Sequence, residues 1–328
     1  MTGEGFQFVI FNQSESVRTV RAVNINNSFE KEKKMKTVNA SLSIIALILL
    51  TTVGAVSAWT TPVLLSEVNT QYTEGWPFLS NDGLTLYFAR SGTPDHYYTQ
   101  LYKATRTTPS DSFSNVTRIN ELAYSGGHLA SPWVSPDNLH LYYYRTEPGS
   151  IWRLKESTRA TASSPWGTPQ NLTELNNLGD VANAKLSANE QSIVFNVFTN
   201  ETTGFLYTAS RSDRNSAFTG IQAVSELNTA DVRACYLSSD GLALYFTRND
   251  SGVWHNYEST RPSISGTFDT PQLLNYWPDN YGLGCFSADG QTAYLGYNRD
   301  IYVSQVPEPA TLLLLGLGAV ILRRKRRK

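Results

Sequence analysis

Cysteine and methionine each occur only twice in these 328 residues, histidine occurs four times, and charged side chains make up 17%. Two cysteines, Cys235 and Cys285, exclude a disulfide-stapled scaffold, and with so few histidines no Cys/His spacing suits a metal cluster. No glycine-rich phosphate loop, no nucleophile-elbow serine and no His-Glu metal helix is present. The apolar stretches at 42–56 and 310–322 fall short of the roughly 20 residues that span a bilayer. Basic charge is also scarce where it would matter. Between Trp59 and Val306 there are 15 Lys and Arg against 23 Asp and Glu, a balance of −8 that the whole-chain value of −1 conceals. An acidic body of this kind excludes nucleic acid, whose phosphates need a basic face, and leaves cations, neutral glycans or basic partners.

What the chain does have is a repeat. A hydrophobic residue, Ser, any residue and an Asp or Asn recur as Leu79-Ser80-Asn81-Asp82, Val134-Ser135-Pro136-Asp137, Leu186-Ser187-Ala188-Asn189, Leu237-Ser238-Ser239-Asp240 and Phe286-Ser287-Ala288-Asp289. The intervals are 55, 52, 51 and 49 residues, a period that implies a propeller or array. Each turn leads into an aromatic, β-branched run such as Leu84–Phe88 or Leu242–Phe246, then into a second run such as Gln100–Ala104 or Ile151–Lys155. These have the length and composition of strands. Several second runs end in a Thr-Arg or Ser-Arg step, at Arg106, Arg159, Arg211 and Arg261. A further strand begins at an aromatic and ends near Leu-Asn. One copy of it, 59–69, precedes the first turn, and none follows the last. The expected fold is therefore all-β: a five-bladed β-propeller over 59–304, closed by the N-terminal strand in the last blade, plus a C-terminal hydrophobic helix. Closure in this way removes open sheet edges. The turn Asp residues read as scaffold, because Asp or Asn bonds the amides of its own turn and Gly supplies positive φ.

The ends carry addresses. Lys33, Lys34 and Lys36 precede an apolar core that ends at Ser57-Ala58, so 35–58 reads as a signal peptide that engages the Sec machinery. Met35 is the expected initiator, with 1–34 an over-extended or disordered start. At the other end, Val306-Pro307-Glu308-Pro309, an apolar stretch and Arg323 to Lys328 form a tripartite tail over 305–328. It resembles the PEP-CTERM sorting signal of Gram-negative bacteria. That resemblance implies transient membrane association through the tail helix with the basic end inside. It also implies processing by an exosortase near Pro307, Glu308 and Pro309, and delivery to the cell surface or an extracellular matrix of the biofilm kind. The repeats in turn resemble TolB-like β-propeller repeats, the Pro-Asp type related to WD repeats. Leu-Ser-x-Asp-Gly-x-x-Leu-Tyr-Phe is fullest at 79–88 and 237–246, while Asn189-Glu190 replaces Asp-Gly in the third unit. Such repeats imply a binding or scaffolding module.

Loops entering the innermost strands should lie at one mouth of the central channel. They place Glu74, Asp180, Asp231 and Asp279 eight to ten residues before the turn residue, with His128 in the second unit. Two readings stand: each acid caps its own loop, or the ring holds a cation or sugar hydroxyls with help from Trp76 and Arg233. No cofactor beyond such a cation is expected, and no catalytic residue, because no carboxylate departs from its repeat equivalents. The alternative function is a carbohydrate-active hydrolase or lyase with an acid and a base on different blades. The two cysteines, on neighbouring innermost strands with opposite parity, read as two buried thiols rather than a bond.

Overall fold

A computed structural model describes residues 59–199 and 203–307. The N-terminal extension, the signal peptide and the C-terminal hydrophobic helix expected from the sequence lie outside the described residues. Among those described, no helix is long and apolar enough to cross a membrane.

Five four-stranded antiparallel sheets make up the body. Blade one is β2 (Thr73–Leu79), β3 (Thr85–Ser91), β4 (Gln100–Thr105) and β5 (Ser114–Arg118). Blade two is β6 (Leu129–Val134), β7 (His140–Glu147), β8 (Ile151–Thr158) and β9 (Gln170–Asn171). Blade three is β10 (Asp180–Leu186), β11 (Ser192–Thr199), β12 (Thr203–Ser210) and β13 (Thr219–Ala223). Blade four is β14 (Val232–Leu237), β15 (Ala243–Asp250), β16 (Val253–Thr260) and β17 (Gln272–Leu273). Blade five is β18 (Gly282–Phe286), β19 (Thr292–Tyr297) and β20 (Asp300–Gln305), and its fourth strand is β1 (Val63–Leu64). The two-residue ladder of β1 understates the closure. Thr60 N donates to Gln305 O at 2.8 Å and Leu65 N to Ile301 O at 3.0 Å. The Asn69 amide both accepts from Ile301 N at 2.8 Å and donates to Ile301 O at 2.7 Å.

Each sheet packs on a neighbour through both faces, which is why the middle strands read as continuous apolar runs rather than alternating ones. Leu86, Phe88, Leu141, Tyr143, Phe195 and Phe246 are all buried between blades. The turns behave as their chemistry dictates. In every blade the Ser hydroxyl donates to the turn Asp or Asn, from 2.5 Å at Ser80–Asp82 to 2.8 Å at Ser187–Asn189. That same oxygen accepts the amide two residues on. The next residue takes positive φ: Gly83, Asn138, Glu190, Gly241 and Gly290.

The Thr-Arg and Ser-Arg steps join two features that sequence left separate. Nε of Arg106, Arg159, Arg211 and Arg261 donates to the carbonyl of Gly83, Asn138, Glu190 and Gly241 respectively, at 2.6–2.9 Å. Each guanidinium also lies 4.0–4.7 Å from the ring that opens its fourth strand: Phe113, Trp166, Phe218 and Phe268. Cation–π contacts of this kind tie the outer strand to the turn. Blade five has no such arginine. There Trp59 packs 5.3 Å from Trp277 and 5.6 Å from Phe286 instead.

Candidate functional site

Every innermost strand is interrupted by a register shift, at 75–78, 130–133, 182–185, 234–236 and 283–285. A bulge bends its strand and re-aims a side chain. In blades one to three the bulge holds a non-glycine residue in the left-handed region: Trp76 (φ 51°), Ser131 (φ 56°) and Asn183 (φ 56°). For a residue as bulky as Trp this is a true outlier, and it leaves the Trp76 side chain 44% exposed at the channel mouth.

Around these bulges lies a cavity of about 510 Å³, lined by all five blades. Its wall is aromatic: Trp76, Tyr144, Trp152, Phe198, Trp254 and Tyr297. Among the described residues, Glu74 is its one lining carboxylate, and Lys185, Arg233 and Arg299 are its lining cations. Glu74 is buried; Oε1 accepts from Arg90 Nε at 2.7 Å and Thr70 Oγ1 at 2.6 Å, while Oε2 has no hydrogen-bond partner. Arg233 binds both oxygens of Asp231, one of them at 3.0 Å, and lies 4.5 Å from the Phe198 ring. Lys185 is 5% exposed, and its ammonium donates to Ser131 Oγ at 3.1 Å. Burial holds its pKa down at about 8, so it is mainly protonated at neutral pH.

Of the residues singled out from sequence, Glu74, Trp76 and Arg233 meet at this cavity, and His128, Asp180, Asp231 and Asp279 do not line it. Most of the latter clip one blade to the one before. Each meets the amide at or just before a third strand: Thr99 N donates to His128 Nδ1 at 3.1 Å, Trp152 N to Asp180 at 2.9 Å, and Gly204 N to Asp231 at 2.7 Å. In blade five the same task falls to Asn280, which accepts from Trp254 N at 3.1 Å, while the exposed Asp279 contacts His255 Nδ1 at 2.8 Å. A single carboxylate ring is therefore not what surrounds the mouth.

Lys185 is the residue that sequence reading passed over. It stands four positions before its turn residue, where the other units carry Phe78, Trp133, Tyr236 and Cys285. That departure was visible in the repeat. Cys285 and Cys235 are both free and buried, and burial pushes the Cys285 thiol up to about 12, so neither is a nucleophile at neutral pH.

A second polar cluster lies between blades two and three. His140, Glu156 and Glu190 present ligand atoms within 4.8 Å of one another. Arg211 and Arg214 already pair with Glu190, at 3.4 and 2.9 Å, and the single Tyr142 hydroxyl lies within hydrogen-bond distance of both carboxylates. Two guanidinium charges beside the acids make this a closed ion-pair network rather than a cation site. The hydrogen bond to Glu156, at 2.7 Å, and the charges of Glu190 and Glu156 raise the His140 pKa above 6.5 against the opposing effect of burial. With the folded-state pKa above the unfolded one, protonated His140 stabilises the fold fully below pH 6.5. This contribution disappears as pH rises through the folded value. Chemical denaturation of His140→Gln beside the parent should show a deficit at pH 5.5 that shrinks at pH 9; a pH-independent difference would contradict it.

No curated protein matches the chain in sequence. Among solved structures, the α-L-arabinofuranosidase of Podospora anserina, determined with cellotriose, aligns over 77% of this chain and 98% of its own at 14% identity, with a TM-score of 0.52. A family 117 glycoside hydrolase of the marine bacterium Zobellia galactanivorans aligns over 75% and 89% at 10% identity and TM-score 0.52. TolB from Acinetobacter baumannii aligns over 74% of this chain and 56% of its own at 13% identity and TM-score 0.45. At such identities the likeness shows the propeller fold alone. Residues 305–328 match the PEP-CTERM protein-sorting motif, so the chain carries a signal for export and surface or extracellular sorting, with processing by an exosortase.

Proposed function

We propose that this is an exported propeller that binds a glycan in the channel-mouth cavity without cleaving it. The observation that carries the reading is an aromatic-walled cavity in which Glu74 is the one lining carboxylate among the described residues. Glycosidases of either stereochemistry place two carboxyl groups about 5–9.5 Å apart across the scissile bond, and the described residues of the lining offer no second one. Aromatic faces suit the apolar faces of sugar rings. The strained backbone at Trp76 supports a role for its exposed ring, since such strain collects at ligand clamps. The competing reading, a hydrolase or lyase, draws on the fold likeness to glycoside hydrolases.

Incubating the purified exported protein with a panel of polysaccharides separates the two. Retention without new reducing ends or unsaturated products is expected, and product release would overturn the binder. Trp76→Ala should weaken retention by about tenfold, the loss of one aromatic contact, with an unchanged melting temperature. Sorting is tested apart from binding: a chain ending at Gln305 should fold and be exported but lose the destination set by Pro307, Glu308 and Pro309. Unchanged localisation of that truncated chain would remove exosortase from its route.

A further inference from the structure

We infer that the ligand's bound unit is a negatively charged sugar, a hexuronate or a sulfated hexose, whose anionic group is received by Lys185 at the cavity floor. The inference rests on the glycan reading above and adds the charge of the ligand.

Its basis is a local reversal of sign. The exported body carries −8, yet among the described residues the ionisable groups lining the cavity are three cations, Lys185, Arg233 and Arg299, against the single anion Glu74. Glu74 is matched by Arg90, and Arg233 by Asp231, neither partner being a lining residue. Lys185 has no carboxylate within ion-pair distance among the described residues, and Ser131 Oγ is its one hydrogen-bond partner. An ammonium has three donors. A buried cation without a counter-charge is costly, and the sequence would relieve that cost by placing at 185 an aromatic, as three other blades do at Phe78, Trp133 and Tyr236. The charge is retained where the bulge of blade three turns it into the cavity beside the Ser131 bulge of blade two. An anionic group entering from the mouth would satisfy the two remaining donors.

The test uses the exported protein and three probes of equal length: oligogalacturonate, a sulfated galactan oligomer and its neutral desulfated counterpart, each titrated calorimetrically at low and high salt. At least one charged probe should bind about 10- to 100-fold tighter than the neutral one, the range for a charge-assisted hydrogen bond, and the advantage should shrink with salt. Which charged probe binds tighter separates carboxylate from sulfate. Lys185→Met, close in volume, should abolish the preference, bringing the charged probe to the affinity that the same variant shows for the neutral one. Equal binding of charged and neutral probes, or a preference that survives Lys185→Met, overturns the inference while leaving glycan binding in place. Failure of all three probes and of every polysaccharide in the panel overturns the glycan reading itself. Should Lys185→Met lower the melting temperature too far for titration, the parent protein's charged-to-neutral ratio and its salt dependence decide the matter.

Discussion

Glu190→Gly should destabilise the propeller by about 2–4 kcal/mol, although glycine is the residue that three other blades place in this turn. Glu190 takes φ 59°, a conformation that costs a non-glycine residue roughly 1–2 kcal/mol. Consensus reasoning therefore expects glycine to help. The side chain decides otherwise. Its carboxylate is fully buried and accepts from Tyr142 at 2.8 Å while pairing with Arg211, itself almost completely buried, and with Arg214. Removing one partner of a buried ion pair costs about 3–5 kcal/mol, because the other charge stays behind. Glu156, which shares Tyr142, compensates in part. For a domain of this size the melting temperature should fall by roughly 5–15 °C. A gain in thermal stability would show that the turn backbone outweighs the network.

Deleting Trp59–Leu65 should cost more, about 5 kcal/mol or greater, and promote aggregation. The segment closes the ring. It removes Leu65 from water, supplies backbone bonds to Ile301 and Gln305, accepts the Ser304 hydroxyl at Thr60 O, and packs Trp59 edge-on against Trp277 and tilted against Phe286. Val63 and Leu64 remain exposed, so their loss matters little in itself. What matters is the bared edge of β20, a row of free amides and carbonyls flanked by buried Ile301. Size-exclusion chromatography with thermal melting reads both effects. A deleted protein that elutes as a monomer and melts within 2 °C of the parent would mean that blade five is complete without its N-terminal strand.

Much of the architecture was legible because repeats magnify weak signals. A single Leu-Ser-x-Asp-Gly is only a turn, but five at near-equal spacing demand five equivalent sheets, and the offset copy at 59–69 could complete only the last of them. The Arg and aromatic positions were visible as recurring letters. Their meaning was not, since Arg159 and Trp166 meet through a chain reversal that spacing alone does not encode.

The candidate site was less legible, for a reason located in the innermost strands. Counting residues assigns alternate side chains to opposite faces, and a bulge in each of these strands breaks the count. Trp76, inside the bulge of blade one, reaches the cavity, whereas Asp180 and Asp231, ahead of their bulges, turn to backbone amides of the preceding blade. In blade five the clip is Asn280, nine residues before its turn residue like His128, Asp180 and Asp231, and not the carboxylate beside it, Asp279. Lys185 was hidden by attention to acids, not by lack of signal.

Blade number, turn chemistry, ring closure and destination follow from local chemistry, since hydrogen bonds within a turn, strand periodicity and a linear sorting motif depend on residues adjacent in the chain. The cavity's aromatic wall, its local positive sign in an acidic body, and the division of the acids between clip and site were decided only by the folded molecule. They arise where five distant strands converge, and each bulge there determines which side chain faces the axis.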